Sequence, residues 1–326
     1  MSTGPTAGRP SVLAVGVICM DVVALVDGPP PADGRVEAAD IVIGGGGPAS
    51  TAAVALARQG VRTAVAGRVG DDEAGRRALA SLRLSGIGTE GVRVDPDGAT
   101  QISCVIVDRR RRTRSIITSH ADPLDALTPG AGELARQADW IHADHAGYRA
   151  VASLLTEPTA GWPGGRPRVS LDAGNAPIEG LDLAVVDLFA PTRASLVARY
   201  GTEDADLAAS RALAEGVHAV VATDGPRGCE AWWDEEGAGY ARGSRPGVAG
   251  HARSPAYGGV GRVVSTLGAG DVFHGALLAG LLAGGGWPAA LRRANVVAGL
   301  SCRARTARDG VPDQEEVDAA LARIDG

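Results

Sequence analysis

The residues with the clearest chemical potential lie in Ser265-Thr-Leu-Gly-Ala-Gly-Asp271-Val-Phe-His-Gly-Ala276. The run Val260 to Val264 is predicted to be a strand that enters a Gly-Ala-Gly turn, with a helix following at once over Ala269 to Ala283. Such a turn aims successive backbone N–H groups at one point, and the helix N-terminus adds partial positive charge there. An anion is therefore expected at Gly268, Ala269 and Gly270. Asp271 stands in the first helical turn, where the dipole should hold its carboxylate ionised. A carboxylate beside an anion hole suits phosphoryl transfer to an alcohol, because it accepts the hydroxyl proton while the donors stabilise the transferred charge. The plainer alternative is an N-terminal cap beside a tight turn.

Two other segments share this glycine-rich character. Gly44 to Gly47 open a helix that starts Pro48-Ala-Ser50-Thr51, and without Cβ atoms the four-glycine backbone can approach a ligand closely, or can simply flex. Val220-Val-Ala-Thr223-Asp-Gly225-Pro-Arg-Gly228 reads as a strand ending in a turn that could floor a nucleotide phosphate.

The elements around these segments alternate. Ser11 to Cys19 is predicted to be a buried strand ending near Asp21. Val22–Val26 with Arg35–Ile43, and Ile102–Val107 with Ser115–Thr118, read as hairpins. Helices are expected at 48–58, 71–85, 193–200, 204–215, 288–304 and 314–324, and strands at 63–66, 140–142, 169–172, 183–189 and 219–222. That order predicts a doubly wound, mostly parallel α/β sheet flanked by helices, with the hairpins as a small β appendage. Residues 1–10 read as a disordered tail, and 11–326 as one domain without repeats.

Composition removes whole classes. All 32 basic residues are Arg, which excludes a Walker A lysine, a kinase catalytic lysine and Schiff-base chemistry. A net charge of −6 argues against nucleic-acid binding, and no apolar run is long enough to span a bilayer. Cys19, Cys104, Cys229 and Cys302 are scattered, as expected of thiols in a reducing cytoplasm.

Gly45 to Gly60 with Val69-Gly-Asp-Asp72 resembles the first signature of the ribokinase-like (PfkB) carbohydrate kinases, and Thr266-x-Gly-Ala-Gly-Asp271 resembles the second. The resemblance runs from about Ser11 to Val317. Its short runs, including Gly310-Val-Pro-Asp313, are most similar to sulfofructose kinases and neighbouring sugar kinases. It implies the doubly wound domain with a β-sheet lid at about 22–43 and 100–120, and Mg-dependent transfer of the ATP γ-phosphate to a sugar hydroxymethyl group. It also implies roles residue by residue. Asp271 would be the base, with Gly268, Ala269 and Gly270 as anion hole. Asp21, Gly45, Gly46 and Ser50 would meet the sugar. Thr223, Gly225, Gly228, Thr266 and Asn295 would meet ATP. Ser50, or Thr51 if the register slips by one, stands where the family carries Asn. Thr192 and Ser195 replace Asn and Glu, which leaves the magnesium ligands open, and Ser265 replaces an Asp near a potassium site. A nucleoside kinase and a non-catalytic sugar- or nucleotide-binding protein on the same fold remain alternatives.

His142-Ala-Asp-His145 offers a weak metal spacing, with substrate contact from the strand end the stronger reading. His274 reads as a packing residue. The basic run Arg109–Arg112 with Arg114 would lie in the lid, either solvated or closing over an anionic substrate. An exposed lid edge could pair two copies into a homodimer.

Overall fold

The computed structural model describes residues 11–111, 113–119, 124–156, 162, 165–174, 177–241 and 247–325. The expected tail and Arg112 lie outside them. The main sheet is built from short runs buried on both faces: β1 (Val12–Val15), β8 (Trp140–Ala143), β9 (Arg168–Gly174), β10 (Leu188–Pro191) and β11 (Ala219–Thr223). Together with β4 (Thr63–Gly70), β5 (Gly88–Asp95), β12 (Cys229–Trp233) and β13 (Gly250–Ser254), they form nine strands in the order β13-β12-β11-β10-β9-β8-β1-β4-β5. All neighbours pair parallel except β11–β12 and β12–β13. Beside β1 the order reverses direction, since β4 lies on one side and β8 on the other, and ligands favour the strand ends at such a switch.

Helices cover both faces. The central one, α7 (Ala269–Ala283), is apolar nearly all round, so it must be enclosed rather than lie at the surface. It packs between α1 (Pro48–Arg58) and α8 (Gly286–Ser301). The approach to α1 is close enough that a Cβ on Gly275 would stand 2.2 Å from the Ala52 carbonyl oxygen. The residue carrying Asp271 is thus mounted on a rigid element.

The second sheet, in the order β3-β2-β6-β7, contains β2 (Cys19–Val26), β3 (Asp40–Gly46), β6 (Gln101–Asp108) and β7 (Thr113–Thr118). The two expected hairpins, β2–β3 and β6–β7, join through a parallel pairing of β2 with β6. One face buries Val23, Leu25, Val105 and Val107 against Val264 and Leu267.

Several boundaries differ from expectation. The single strand predicted from Ser11 to Cys19 breaks at Gly16, whose φ of +150° and contact with Asp144 turn the chain into the small sheet. Asp21 therefore belongs to that sheet and not to the end of β1. Gly44 to Gly46 continue β3 instead of forming a loose joint. Val260 to Val264 is not a strand: a 3-10 turn, Gly258–Val260, occupies its start, and the Val264 amide bonds the Cys302 carbonyl. Residues Leu183–Val185 also form a 3-10 turn ahead of β10. The strands β5 and β13 have the mixed polarity of partly covered positions, and β12, though buried over most of its length, carries the charged Glu230, so none of the three stands out in the sequence.

Candidate active site

The C-terminal ends of β1, β8 and β9 face the N-terminus of α7, and the small sheet stands beside them. Asp144, just after β8, is fully buried and accepts amide hydrogens from Val17, Ala49, Ala146 and Gly147 at 2.8–3.1 Å. It thereby ties the chain leaving β1 to the start of α1. Asp72 does the same for the other hairpin, accepting from the Gly75 and Thr100 amides at 2.7 and 2.8 Å. These two carboxylates fix where the small sheet sits.

Gly268 has φ +73°, and a Cβ there would lie 2.5 Å from the Ala307 side chain, so the turn requires glycine. The first turn of α7 takes no side-chain cap, which removes the reading of Asp271 as a cap. Gly270 is exposed with open space around it. The Ala269 amide is engaged with the Thr266 carbonyl at 3.3 Å, so the anion hole is narrower than the three residues expected. Arg114 Nη1 donates to Thr266 Oγ1 at 2.9 Å and so links the small sheet to this turn.

The helix dipole is opposed by other influences on Asp271. Burial, reinforced by the charge of Asp172, pushes its carboxyl up to about 8. Such a group is matched to proton transfer near neutrality, since a strongly acidic carboxylate is a poor proton acceptor.

Asp21 is 5% exposed. Burial raises its proton affinity, while the Cys19 thiol, the Ser103 hydroxyl and Arg308 oppose the shift. A Cβ on Gly46 would stand 2.2 Å from Asp21 Oδ2, and one on Gly45 would stand 2.3 Å from Arg308 Nη1. The two glycines thus make room for an acid and a base. Ser50 is fully buried and does not face a ligand. Its hydroxyl reaches the Val17 and Gly46 carbonyls at 2.8 and 2.7 Å and accepts from Arg308 Nη2 at 2.6 Å. The first turn of α1 points it inward, where it clamps the crossing between sheets, so its expected sugar contact is corrected.

Arg308 was not anticipated. It lies on the loop after α8, two residues before the Gly310-Val-Pro-Asp313 run that marked its neighbourhood in the sequence. It is 7% exposed, and its Nη1 has no hydrogen-bond partner. Burial pulls its pKa down to about 10, which leaves it charged at neutral pH. Asp172, at the end of β9, was likewise missed as a site residue; its Oδ2 lies 2.8 Å from His274 Nδ1. His142 is fully buried on β8 whereas His145 is exposed, so the two do not form a metal pair.

A groove runs along β11–β13. One cavity of about 530 Å³ is lined by Arg193, Asp224, Arg227, Glu230 and Arg253 among others. A second of about 420 Å³ shares Ser254 and Pro255 with it and adds Tyr257, Asn295 and Val296. The first is lined by charged side chains, its three arginines paired with Asp224 and Glu230, and the second is largely apolar. Gly225 (φ +52°) and Gly228 (φ +96°) shape the turn that borders it, with Thr223 ending β11, although Asp224 and Arg227 are the lining residues. Asn295 spends its amide on Ser254 O at 3.1 Å and so holds the wall of the second cavity.

Thr192 and Ser195 bond to each other at 2.9 Å and cap α5 (Arg193–Tyr200), so they offer magnesium no carboxylate. Among the described residues the one trio with metal-ligand spacing, Asp206, Glu230 and His251, is engaged with Trp232 and Arg253. Magnesium that keeps waters and binds through phosphates needs no such trio.

The model of the pfkB family carbohydrate kinases matches residues 9–314. An ATP-dependent ribose-1-phosphate kinase of Halopiger xanaduensis is 38% identical over 97 residues, 30% of this chain and 33% of that one, so the match spans about a third of that relative. An uncharacterized sugar kinase of Archaeoglobus fulgidus is 27% identical over 79% of this chain and 98% of its own. A crystal structure from Agrobacterium tumefaciens, provisionally called a ribokinase, superposes with a TM-score of 0.80 at 28% identity, covering 98% of this chain and all of the other. With the sheet order, the rigidly mounted Asp271 and a family match over nearly the whole chain, this protein belongs to the pfkB family of carbohydrate kinases, phosphotransferases that act on sugar hydroxyl groups.

Proposed function

We propose that the protein transfers the γ-phosphoryl group of ATP to a hydroxymethyl oxygen of a sugar, with Asp271 accepting the hydroxyl proton. The observation that carries this reading is the partly buried Asp271 in the first turn of α7, at the open glycine turn. ATP with magnesium supplies an electrophilic phosphorus and a good leaving group. Asp21 orients the sugar through its hydroxyls, and Gly45 and Gly46 leave room for the Arg308 and Asp21 side chains beside it. Asp271 takes the proton as the sugar oxygen bonds to phosphorus and the bond to ADP breaks. The amides of the α7 turn stabilise the charge on the transferred group. Arg193, Arg227 and Arg253 hold the nucleotide phosphates, and magnesium is carried by phosphates and water. A potassium ion beside Ser265 would meet a neutral hydroxyl. The small sheet acts as the lid, held at the turn by the Arg114–Thr266 contact, and excludes water.

A second reading concerns the acceptor. The buried, partly unpartnered Arg308 near Asp21 favours a sugar that already carries an anionic group, the chemistry named for the ribose-1-phosphate kinase relative. ADP formation measured against neutral sugars, sugar phosphates, sulfosugars and nucleosides tests all of this. Turnover with sugars alone is expected. Turnover with nucleosides alone would make the protein a nucleoside kinase, and none at all would make it a binding protein.

The proposal extends to a homodimer. The outer face of the small sheet carries the row Ile43, Val22, Cys104, Ile117, with Ile41 and Ile102 beside it, and Ile41, Ile43 and Ile117 are 58–66% exposed. A two-fold axis would cover this self-complementary face with its twin. Light scattering should give twice the chain mass, and Ile43→Lys should give a monomer; a monomeric parent would refute the dimer. Four unpaired cysteines and the use of ATP fit the cytoplasm.

A further inference from the structure

Behind Asp271 lies a set of ionisable side chains that this reaction scheme leaves idle. His274 follows Asp271 by three residues on α7, so the two share a helix face. Asp172 meets it from β9, with Oδ2 at 2.8 Å from His274 Nδ1, and both side chains are about 95% buried. The contact is an ion pair when the imidazole is protonated. Asp172 Oδ1 accepts the Gly174 amide at 2.8 Å, which fixes the carboxylate in place. His142, on the neighbouring β8, turns its ring to His274 at 6.1 Å between centroids and places Nδ1 3.3 Å from Ser170 Oγ. The Nε2 atoms of both imidazoles are buried without a partner. Aliphatic side chains would fill this helix–sheet contact without the cost of burying charge.

We infer that Asp172 and His274 are positioning residues that set the proton affinity of Asp271. The inference rests on Asp271 being the proton acceptor. Two carboxylates close together do not both ionise readily. An imidazolium on His274 neutralises Asp172 and lets Asp271 release its proton; with that charge absent, Asp172 stands unshielded and Asp271 keeps its proton. Burial opposes the His274 charge, but Asp172 outweighs it and holds the imidazole above its ordinary pKa. His142, pulled down to about 4 by burial, is a neutral wall behind the pair. The other groups acting on Asp271 come from other elements. They are Asp144 after β8, already bonded by four amides, Arg114 from β7, and Arg308 from the loop after α8. None of them changes in the test.

The test follows the Asp271 carboxyl by 13C NMR titration of the full chain without ligand, with the resonance assigned through its loss in Asp271→Asn. Asp172→Asn should lower the Asp271 midpoint by about one unit or more, and His274→Gln should raise it by a similar amount. The double substitution removes both charges and should return the midpoint to near the parental value. The acid limb of kcat/KM, measured with the sugar found in the panel above, should move with these midpoints. Midpoints unmoved in both single variants would show a packing role only and overturn the inference. Should His274→Gln fail to fold, Asp172→Asn alone decides, because a fixed midpoint there is also refutation. The base assignment fails separately, by Asp271→Asn retaining its turnover while the midpoints still shift.

Discussion

Asp271→Asn is expected to lower kcat by about 10²–10⁴-fold while sugar and ATP affinities stay near those of the parent. The amide is nearly isosteric with the carboxyl, so the turn of α7 and its amides are retained. What is lost is the acceptor for the hydroxyl proton. The substitution should also stabilise the protein in a defined pH window. In the folded chain the Asp271 carboxyl titrates near 8, against 3.8 for an ordinary Asp. The folded state therefore holds this proton where the unfolded state has released it, and stability falls as pH rises from about 4 to about 8. An amide has no such term. Melting temperatures of the two proteins should agree at pH 4 and separate toward pH 8, with the variant higher. A simple capping role predicts a different pattern, because Asn caps about as well as Asp and activity would persist. Parental turnover in Asp271→Asn would end the phosphoryl-transfer scheme built on it.

Asp21→Ala is expected to act on the other kinetic constant. Asp21 is buried, reaches toward the space kept open by Gly46, and is poised to accept sugar hydroxyls. A hydrogen bond to a charged acceptor contributes about 1.5–3 kcal/mol, so KM for the sugar should rise by roughly 10–150-fold. The KM for ATP, assigned in this proposal to the groove along β11–β13, should hardly move. The kcat should fall by much less than in Asp271→Asn, since in the proposed scheme Asp21 orients the sugar without exchanging its proton. Removing a buried acid beside Arg308 leaves that cation less compensated, so melting temperature must be followed in parallel. An unchanged sugar KM in a folded variant would remove Asp21 from the site.

Each of these predictions joins a residue visible in the sequence to a neighbour that was not. Asp271 and its glycine turn were legible because phosphate-binding turns depend on local backbone geometry, which glycine and a helix start encode over a few positions. The α7 boundaries were readable for the same local reason, since an apolar run closed by glycine sets both ends. Ser50 was misread because its position in the motif says nothing about which way its side chain turns; the Val17 and Gly46 carbonyls decide that. Val260 to Val264 was misread because β-branched residues favour strands only where a neighbour supplies the ladder, and here Cys302 bonds the segment instead.

The sequence by itself determined the α/β alternation, the two hairpins, the position of the acid on α7 and the absence of lysine chemistry. All of these depend on residue type and on spacing within a single element. Tertiary structure decided the rest. It placed Arg308 beside Gly45 across more than 250 positions, set Asp172 against His274 from separate layers, and raised the proton affinity of Asp271. The physical reason is that a helix dipole acts locally and can be anticipated from position in a turn. Desolvation and the field of a second carboxylate depend on which distant residues the fold brings within a few ångströms.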